Sequence, residues 1–298
     1  MEDKQLQIIL GEKIRRKREQ LGLSREGVCS DESRLTARQL ARIEAGETMM
    51  KIPTAFYLAE RLEIDLFELL TSESKDYLKL KVEFIRLSTY DDSDRKAKKE
   101  EIIDTIFEKY YDNLPSDEQL TLTILSTEME MLHSKDTTYG EELFKEVQSK
   151  IFNIQRITVN EILWMNFYLV YISGREDLYS KEKINDILAI IISIDNDDEL
   201  FLELEIKLCV TLCGVMIWSN TLEKFSKLRP TFKRLILKHS DSKSIPIYHM
   251  MNGKYAMLVE GKRREALLHY DRALEEARFL EDDILYQRIS EEMERDLH

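Results

Sequence analysis

Three residue types that interrupt or cross-link chains are scarce in this sequence, which has nine Gly, four Pro and three Cys among 298 residues. So few glycines and prolines leave few tight turns, and they favour long helices over β-hairpins. Three cysteines in a chain of this length do not make a disulfide framework, which is typical of a reducing compartment. The composition therefore predicts an all-α protein of about two domains.

Long hydrophobic segments are also missing. A membrane-spanning helix needs about 18 apolar residues, whereas the run at 184–194 is shorter and contains Asp186. Residues 1–4 lack the apolar core of a signal peptide. With no nuclear-localisation signal either, we expect a protein of the bacterial cytoplasm that has no membrane partner.

Motifs for catalysis or metal binding are absent too, because the sequence contains no Walker A, HExxH, GxSxG or GxGxxG pattern. Cys209 and Cys213 are one helical turn apart in an apolar stretch, where core packing explains them better than a metal site. His249 and His269 could approach each other, but no ligand set accompanies them. We therefore predict no catalytic residue, no metal and no cofactor.

Negative charge predominates, with a formal net charge of −13. Residues 1–70 hold 12 Lys and Arg against 13 Asp and Glu, whereas residues 71–298 hold 32 against 44. The N-terminal part is thus close to neutral, and it carries a local cluster of cations. That cluster comprises Lys13, Arg15, Arg16, Lys17 and Arg18. Local positive patches rather than total charge contact phosphates, so nucleic-acid binding by this part remains open.

The stretch 9–70 carries helix signals in a fixed order. A first helix is predicted over 5–20, followed by Gly22 as a C-cap and Ser24 as the N-cap of a short second helix. The apolar residues predicted to face inward from the first helix are Leu6, Ile9, Leu10, Ile14 and Leu21. These signals, with those that follow, predict a five-helix domain over residues 1–71.

A third helix is predicted from Ala37 to about Glu44, with Thr36 as its N-cap. Leu40 and Ile43 point to the core, which leaves a polar outer face. The candidate DNA-contacting residues at this helix are Arg34, Thr36, Arg38, Gln39 and Arg42. Arginine favours guanine and glutamine favours adenine in the major groove, while the helix N-terminus suits a phosphate. The alternative interpretation is an ordinary solvated helix face.

This ordered set of signals resembles the XRE-type helix-turn-helix family, which is related to the lambda and 434 repressors. The resemblance implies that the third helix is the recognition helix, whose outward residues reach base edges. One departure is that the segment 27–35 is about one residue longer than the usual pattern and carries Asp31 and Glu32. An acid there could weaken DNA affinity or act as an internal lock.

From Lys75 onward the sequence predicts one helix after another, typical of a solenoid of paired helices. The predicted helices cover 75–88, 94–112, 117–132, 140–152, 158–173, 180–194, 197–218, 221–239, 245–260, 262–277 and 281–296. Gly261, Ala266, Tyr270 and Ala273 have the small–small–aromatic–small spacing of a tetratricopeptide repeat. The predicted fold is therefore all-α: an N-terminal helix-turn-helix domain, then a right-handed α-solenoid of degenerate tetratricopeptide-like repeats over 72–298.

The combination resembles the peptide-responsive regulators of the RRNPP superfamily, and within it the streptococcal ComR branch of Rgg-like regulators. The segments that carry the resemblance are 35–44, 90–96, 108–115 and 262–266. It implies that a short imported hydrophobic peptide enters the repeat domain and releases the DNA-binding head. The protein then forms a homodimer, helped by exchange of the C-terminal helix, and activates competence or bacteriocin promoters through an inverted repeat in double-stranded DNA.

The same resemblance suggests roles for individual residues. Lys99 matches a family position that holds the peptide's C-terminal carboxylate, and Arg95 lies one turn upstream on the same apolar face. Snorkelling of these side chains at the helix start is the alternative. Asp91 departs from a basic family residue that assists there, so peptide preference could differ.

A second predicted role is a lock on the head. Arg38 matches a family arginine that an acid after Pro115 masks at rest; here that segment reads Ser116, Asp117 and Glu118, with serine at the acid's position. The lock could therefore be shifted or weak.

Two further groove candidates follow from the residues alone. Asn166 and Thr211 are polar positions within apolar helices, and a groove must offer hydrogen bonds to a peptide backbone. The aromatic run beside Asn166 is better explained by core packing. It consists of Trp164, Phe167, Tyr168 and Tyr171.

Three other functions stay open at this stage. A peptide-independent repressor of the XRE family is the alternative within DNA binding. A repeat enzyme is disfavoured by the missing motifs, and a repeat scaffold that binds only protein would not need an intact DNA-binding face.

Overall fold

The computed structural model describes residues 2–30, 32–64, 72–87, 93–134, 140–152 and 157–297, and every regular element in those ranges is helical. The all-α prediction is confirmed. The chain forms two compact units, Met1–Thr123 and Ile124–His298. The first unit contains the predicted head together with the helices that follow it, so the boundary at residue 71 stays a prediction.

The head begins with four helices whose ends the sequence specifies locally. They are α1 Glu2–Gln20, α2 Arg25–Cys29, α3 Ala37–Glu44 and α4 Ile52–Leu62. The Ser24 hydroxyl accepts a hydrogen bond from the backbone N–H of Gly27 at 2.9 Å, which begins α2 as predicted. Pro53 lies in the first turn of α4. The predicted fifth helix lies outside the described residues.

The core of the head forms where α1 crosses α3. Ile14, Leu40 and Leu58 are completely buried there. A Cβ on Gly11 would lie 2.3 Å from the carbonyl oxygen of Ile43, so only glycine allows this approach. No sequence pattern indicated this close approach.

Two predicted core residues of α1 are not buried. Ile9 is 62% exposed and Leu21 is 39% exposed, because the buried stripe of α1 follows Leu10, Ile14 and Arg18 instead. The inward prediction was therefore wrong for Ile9 and Leu21.

The first unit continues with α5 Ser72–Arg86, α6 Ser93–Lys109, a 3₁₀ turn Tyr111–Asn113 and the start of α7 Ser116–Ser134. Helix α7 runs on into the second unit. A buried polar cluster joins α5 to α7: the Lys81 ammonium is 2.7 Å from the Glu118 carboxylate, to which the Tyr77 hydroxyl also donates.

The second unit follows the predicted alternation of helices and breaks. Its helices are α8 Glu141–Ile151, α9 Val159–Ile172, α10 Lys181–Ser193, α11 Glu199–Trp218, α12 Phe225–His239, α13 Ile245–Lys254, α14 Arg263–Phe279 and α15 Asp283–Leu297. A 3₁₀ turn at Leu222–Lys224 precedes α12, and a π-helical segment Tyr255–Val259 follows α13 where one continuous helix was predicted.

Three of the four residues in the predicted spacing of the last repeat take part in its packing, whereas Gly261 is exposed and a Cβ there would meet no atom within 4 Å. Ala266, Tyr270 and Ala273 of α14 are completely buried. Opposite them, a Cβ on Gly253 of α13 would lie 3.0 Å from the Tyr270 ring, so a small residue is required on both helices. The small–aromatic pattern therefore works by bringing α13 and α14 together.

Helix α15 is held against this repeat by a buried charge cluster. The Lys254 ammonium, 2% exposed at its side chain, contacts the Asp296 carboxylate at 2.9 Å, and the Tyr270 hydroxyl donates to the same carboxylate. Burial, together with these acids, raises the pKa of Tyr270. Among the described helices, none is long and apolar enough to cross a membrane.

Candidate DNA-binding and peptide-binding residues

The start of α3 is fixed by a reciprocal pair of hydrogen bonds. The Thr36 hydroxyl accepts from the backbone N–H of Gln39 at 3.2 Å, and the Gln39 side-chain oxygen accepts from the backbone N–H of Thr36 at 3.0 Å. This capping box confirms the predicted N-cap. It also occupies the Gln39 oxygen, so a bidentate contact to adenine requires Gln39 to leave the cap.

Three exposed arginines lie at α3: Arg38 and Arg42 are on its outer face, and Arg34 precedes its first residue. Neither Arg34 nor Arg38 forms a hydrogen bond or ion pair with any residue that the structure describes. Arg42 lies 3.7 Å from Glu47, and both side chains are more than half exposed, so this pair is weak. The face can therefore turn its cations toward a phosphate or a base edge without breaking a strong contact.

Glu32 lies in the segment where the sequence departs from the usual helix-turn-helix pattern. Its carboxylate accepts a hydrogen bond at 3.0 Å from the backbone N–H of Ala37, the first residue of α3. The acid therefore occupies the helix N-terminus, where a DNA phosphate was predicted to bind. Asp31, the other acid of the segment, lies outside the described residues.

A buried ion cluster behind the outer face sets the position of α3. The Glu44 carboxylate accepts from Arg18 at 2.6 Å and from Arg25 at 2.8 Å, which ties the end of α3 to α1 and α2. The bond to Glu44 raises the pKa of Arg18 against the opposing effect of burial. Sequence reasoning placed Arg18 in a phosphate-binding cluster, but here it is a structural residue.

The predicted head-locking residues form the first turn of α7 and are not a loop. Glu118 is buried and bonded to Lys81 and Tyr77, and burial followed by the charge of Glu118 raises the pKa of Tyr77. The Glu118 carboxylate thus forms a buried ion pair with Lys81 of α5, which compensates the charge of that lysine. Ser116 is exposed and Asp117 half-buried, and a lock on Arg38 by these residues stays a prediction.

Lys99 and Arg95 lie one turn apart on α6 of the first unit. The Lys99 ammonium donates to the carbonyl oxygen of Leu87 at 3.0 Å and lies 4.6 Å from the centre of the Phe84 ring. Arg95 is exposed. An ammonium has three hydrogens to donate, so the bond to Leu87 does not by itself exclude a carboxylate partner for Lys99.

In the second unit, the predicted groove residues Asn166 and Thr211 are in direct contact. The Thr211 hydroxyl donates to the Asn166 side-chain oxygen at 2.8 Å, and the Asn166 amide donates to Glu128 at 3.2 Å. Asn166 is 4% exposed, whereas Thr211 and Glu128 are half-buried. The network joins α7, α9 and α11, and sequence reasoning missed Glu128 because an acid on α7 looked like a solvated position.

The core-packing interpretation is confirmed for two other sets of residues, the aromatic run of α9 and the two cysteines of α11. The aromatic run of α9 is buried, with Phe144 of α8 stacked on Tyr168 and Tyr171. Cys209 and Cys213 are completely buried, and burial raises the pKa of both thiols.

Comparison with known proteins connects these features. The family described as ComR tetratricopeptide matches residues 74–293. The apo form of the competence regulator ComR from Streptococcus vestibularis is 24% identical and has a TM-score of 0.65, with 98% of this chain and 99% of that chain covered. At this identity, the match to the apo structure shows the fold. No curated protein sequence matches the chain.

Two liganded structures are also similar. ComR from S. thermophilus in complex with DNA and its signalling peptide ComS is 27% identical and has a TM-score of 0.62, with 96% of this chain and 99% of that chain covered. ComR from S. vestibularis with its cognate signalling peptide XIP is 25% identical and has a TM-score of 0.61, with 97% and 99% covered.

Proposed function

The chain belongs to the ComR tetratricopeptide family, and on that premise we propose that it is a peptide-activated transcriptional regulator. It works in the cytoplasm and has no enzymatic activity. Its head binds an inverted repeat in double-stranded DNA as part of a homodimer, and its repeat domain binds a short hydrophobic signalling peptide. The promoters that it activates control competence or bacteriocin genes.

The observation that carries the DNA-binding part is the outer face of α3. Arg34 and Arg38 are exposed, and neither is engaged by another described residue. The capping box and the Glu44 cluster hold the helix that carries Arg38. In the similar chain from S. thermophilus, the structure contains DNA and a signalling peptide.

The peptide-binding part is supported by the polar network of the second unit. Asn166 and Thr211 supply an amide and a hydroxyl on neighbouring helices, which suit the hydrogen-bonding groups of a peptide backbone. On the first unit, Lys99 supplies a half-buried ammonium for a terminal carboxylate.

A gel shift tests the DNA-binding part, with promoter DNA from beside the gene and with and without the hydrophobic peptide encoded by a neighbouring short reading frame. We expect a shift that requires the peptide, and Arg38→Ala should cost about 1–3 kcal/mol of specific affinity. Arg264→Ala, an exposed arginine outside the head, is the control. Unchanged affinity in Arg38→Ala would refute the assignment of α3.

Amidating the peptide's C-terminus tests Lys99. If Lys99 holds the carboxylate, amidation should weaken binding to the wild-type protein far more than to Lys99→Ala, as measured by fluorescence anisotropy. Equal weakening in both proteins contradicts the role of Lys99 and leaves the DNA-binding proposal untouched.

A peptide-independent repressor is the second candidate, and one observation favours it. Arg38 is exposed and has no acidic partner within the described ranges, so none of those residues masks Arg38 with an ion pair. A gel shift of equal strength with and without the peptide would select this function.

A further inference from the structure

A basic region lies in the second unit of an otherwise acidic chain. Residues 224–272 hold twelve Lys and Arg against four Asp and Glu, although the formal net charge of the whole chain is −13. These residues form α12, α13 and most of α14, which pack side by side. Acids of the chain pair with some of these cations, such as Lys254 with Asp296 and Lys238 with Asp197, and the remaining exposed cations favour an anionic ligand.

At the centre of this region two imidazoles are in contact across α13 and α14. The Nδ1 atoms of His249 and His269 are 3.4 Å apart, and their ring planes are within 28° of parallel. Both side chains are half-buried. One Nδ1–H donates to the other Nδ1, so the accepting ring carries its hydrogen on Nε2.

Three cations on two of these helices act electrostatically on the histidine pair. Burial lowers the pKa of His249 to about 4, with smaller contributions from His269, from Arg272 on α14 and from Lys233 on α12. Burial also lowers the pKa of His269, and Arg272 and Arg229 act in the same direction. Glu265, the acid that opposes this at His269, lies 3.6 Å from Lys262 and shares its charge with that lysine.

These cations are not neutralised by acids in the part of the chain that the structure describes. Neither Lys233 nor Arg272 forms an ion pair there, and Arg229 lies against the Tyr255 ring, 5.7 Å from its centre. All three side chains are exposed. Like charges held close together without a counter-ion repel one another, so an anion bound among them is stabilised.

A metal ion fits this position poorly. Two imidazole nitrogens 3.4 Å apart could chelate a transition metal, but a third ligand from His, Cys, Asp or Glu is not in place among the described residues. The three cations would also repel a metal ion. The same charges that disfavour a cation favour an anion.

We propose that Arg229, Lys233 and Arg272, together with the His249–His269 pair, bind a multivalent phosphate anion. Arg229 and Lys233 lie four residues apart on α12, and Arg272 lies three residues after His269 on α14. Several cations on neighbouring helices suit a ligand with several negative oxygens, and guanidinium groups pair with phosphate in a bidentate manner. The phosphate can belong to a free diphosphate compound or to a DNA backbone, and the two sources share the chemistry of recognition.

Inorganic pyrophosphate is the probe, titrated into the full-length protein at pH 7 and followed by calorimetry and thermal unfolding. We expect saturable binding that raises the unfolding temperature. Arg272→Gln and Lys233→Gln should each weaken it about tenfold, since each removes a charged hydrogen bond. Lys227→Gln, which removes an exposed cation on α12 that does not act on the pair, is the matched control and should bind as the wild type does.

A titration with a DNA duplex distinguishes a free phosphate compound from a DNA backbone as the source of the phosphate. A 20-base-pair duplex without the operator is titrated into an Arg38→Ala, Arg42→Ala background, so that the head contributes little. Weaker duplex binding upon adding Arg272→Gln, with no pyrophosphate binding, assigns the site to a DNA backbone. Pyrophosphate binding without a duplex effect assigns it to a free phosphate compound.

Two results would overturn the proposal. One is an equal thermal response to sodium chloride at matched ionic strength, because screening then explains the effect. The other is an equal loss of binding in Lys227→Gln and Arg272→Gln. Ring-proton NMR gives a further check, because a bound anion should raise the pKa of His249, whereas an unchanged titration contradicts its presence at the pair.

Discussion

Two buried glutamates, one in each unit, have opposite surroundings. Glu44 in the head is 6% exposed, and its carboxylate is bound by Arg18 and Arg25. Glu205 on α11 is completely buried, and neither of its oxygens has a hydrogen-bond partner among the described residues. Burial raises the pKa of Glu205 to about 7, although the charges of Arg234 and Lys238 oppose this.

The difference shows that burial alone does not define what a charged residue contributes. Glu44 compensates two guanidinium groups and fixes the end of the recognition helix, so it stabilises the part of the head that faces DNA. Glu205 has no such partner, because Arg234 and Lys238 donate to the backbone carbonyls of Ile194 and Asn196. Its carboxylate therefore destabilises the second unit whenever it is ionised.

Removing the paired carboxylate should have the largest effect. Glu44→Gln leaves the buried Arg18 with only the half-exposed Glu19, 3.5 Å away, as a counter-charge. We therefore expect a loss of about 3 kcal/mol in the free energy of unfolding of the head. DNA affinity should fall with it, because α3 is no longer held. Urea unfolding followed by circular dichroism measures the first effect and a gel shift measures the second.

The matched control is Glu12→Gln, which removes an exposed acid of α1 that pairs with Arg16 at 3.6 Å. It should change stability by no more than about 0.5 kcal/mol. If both variants behave alike, the comparison fails, because the buried pair then contributes no more than a surface pair.

Neutralising the unpartnered carboxylate should have the opposite sign and a smaller size. The pKa of Glu205 is about 7 in the folded chain against an ordinary value of 4.5. The cost is therefore absent below pH 4.5, grows as the pH rises to 7 and is complete above it. Glu205→Gln should stabilise the protein by about 1–3 kcal/mol at pH 8 and by much less at pH 5.

Thermal unfolding at the two pH values measures this gain, with Glu182→Gln, an exposed acid on α10, as the control. A gain of equal size at pH 5 and pH 8 would show that the ionised carboxylate is not its source.

An exposed acid should have the smallest effect. Glu32 accepts from the backbone N–H of Ala37 and so competes with a phosphate for the N-terminus of α3. Glu32→Gln should tighten DNA binding by about two- to fivefold, the range of a helix-terminus charge effect. Anisotropy with an operator duplex measures it, and weaker binding would mean that Glu32 supports the DNA-bound conformation.

Helix positions could be predicted wherever short-range chemistry sets them. Thr36 and Gln39 cap α3 through their own backbone, and the small residues around Tyr270 mark the last repeat at fixed spacing. The candidate face of α3 followed directly, because helical periodicity alone separates Arg38 and Arg42 from Leu40 and Ile43.

Partners distant in the sequence could not be predicted. From its position after Pro115, Glu118 is expected to be an exposed acid. Instead it is buried, because it pairs with the buried Lys81, 37 residues earlier. Ile9 was expected in the core but is exposed, and Arg18 was expected at the surface but is buried. The cause is Glu44, whose buried carboxylate requires a guanidinium inside the head. The contact between Asn166 and Thr211 depends on the register of α9 against α11, which no local pattern encodes.

The buried Lys254 also has a consequence for the order of events during protein synthesis. Its carboxylate partner Asp296 follows 42 residues later in the chain. A nascent chain that has just completed α13 therefore buries this lysine only at a cost in free energy, since its charge would be uncompensated. Packing of the last repeat is favoured once α15 has left the ribosome, so a translational pause before Asp296 would expose the apolar surface of α13 and α14 to chaperones for longer.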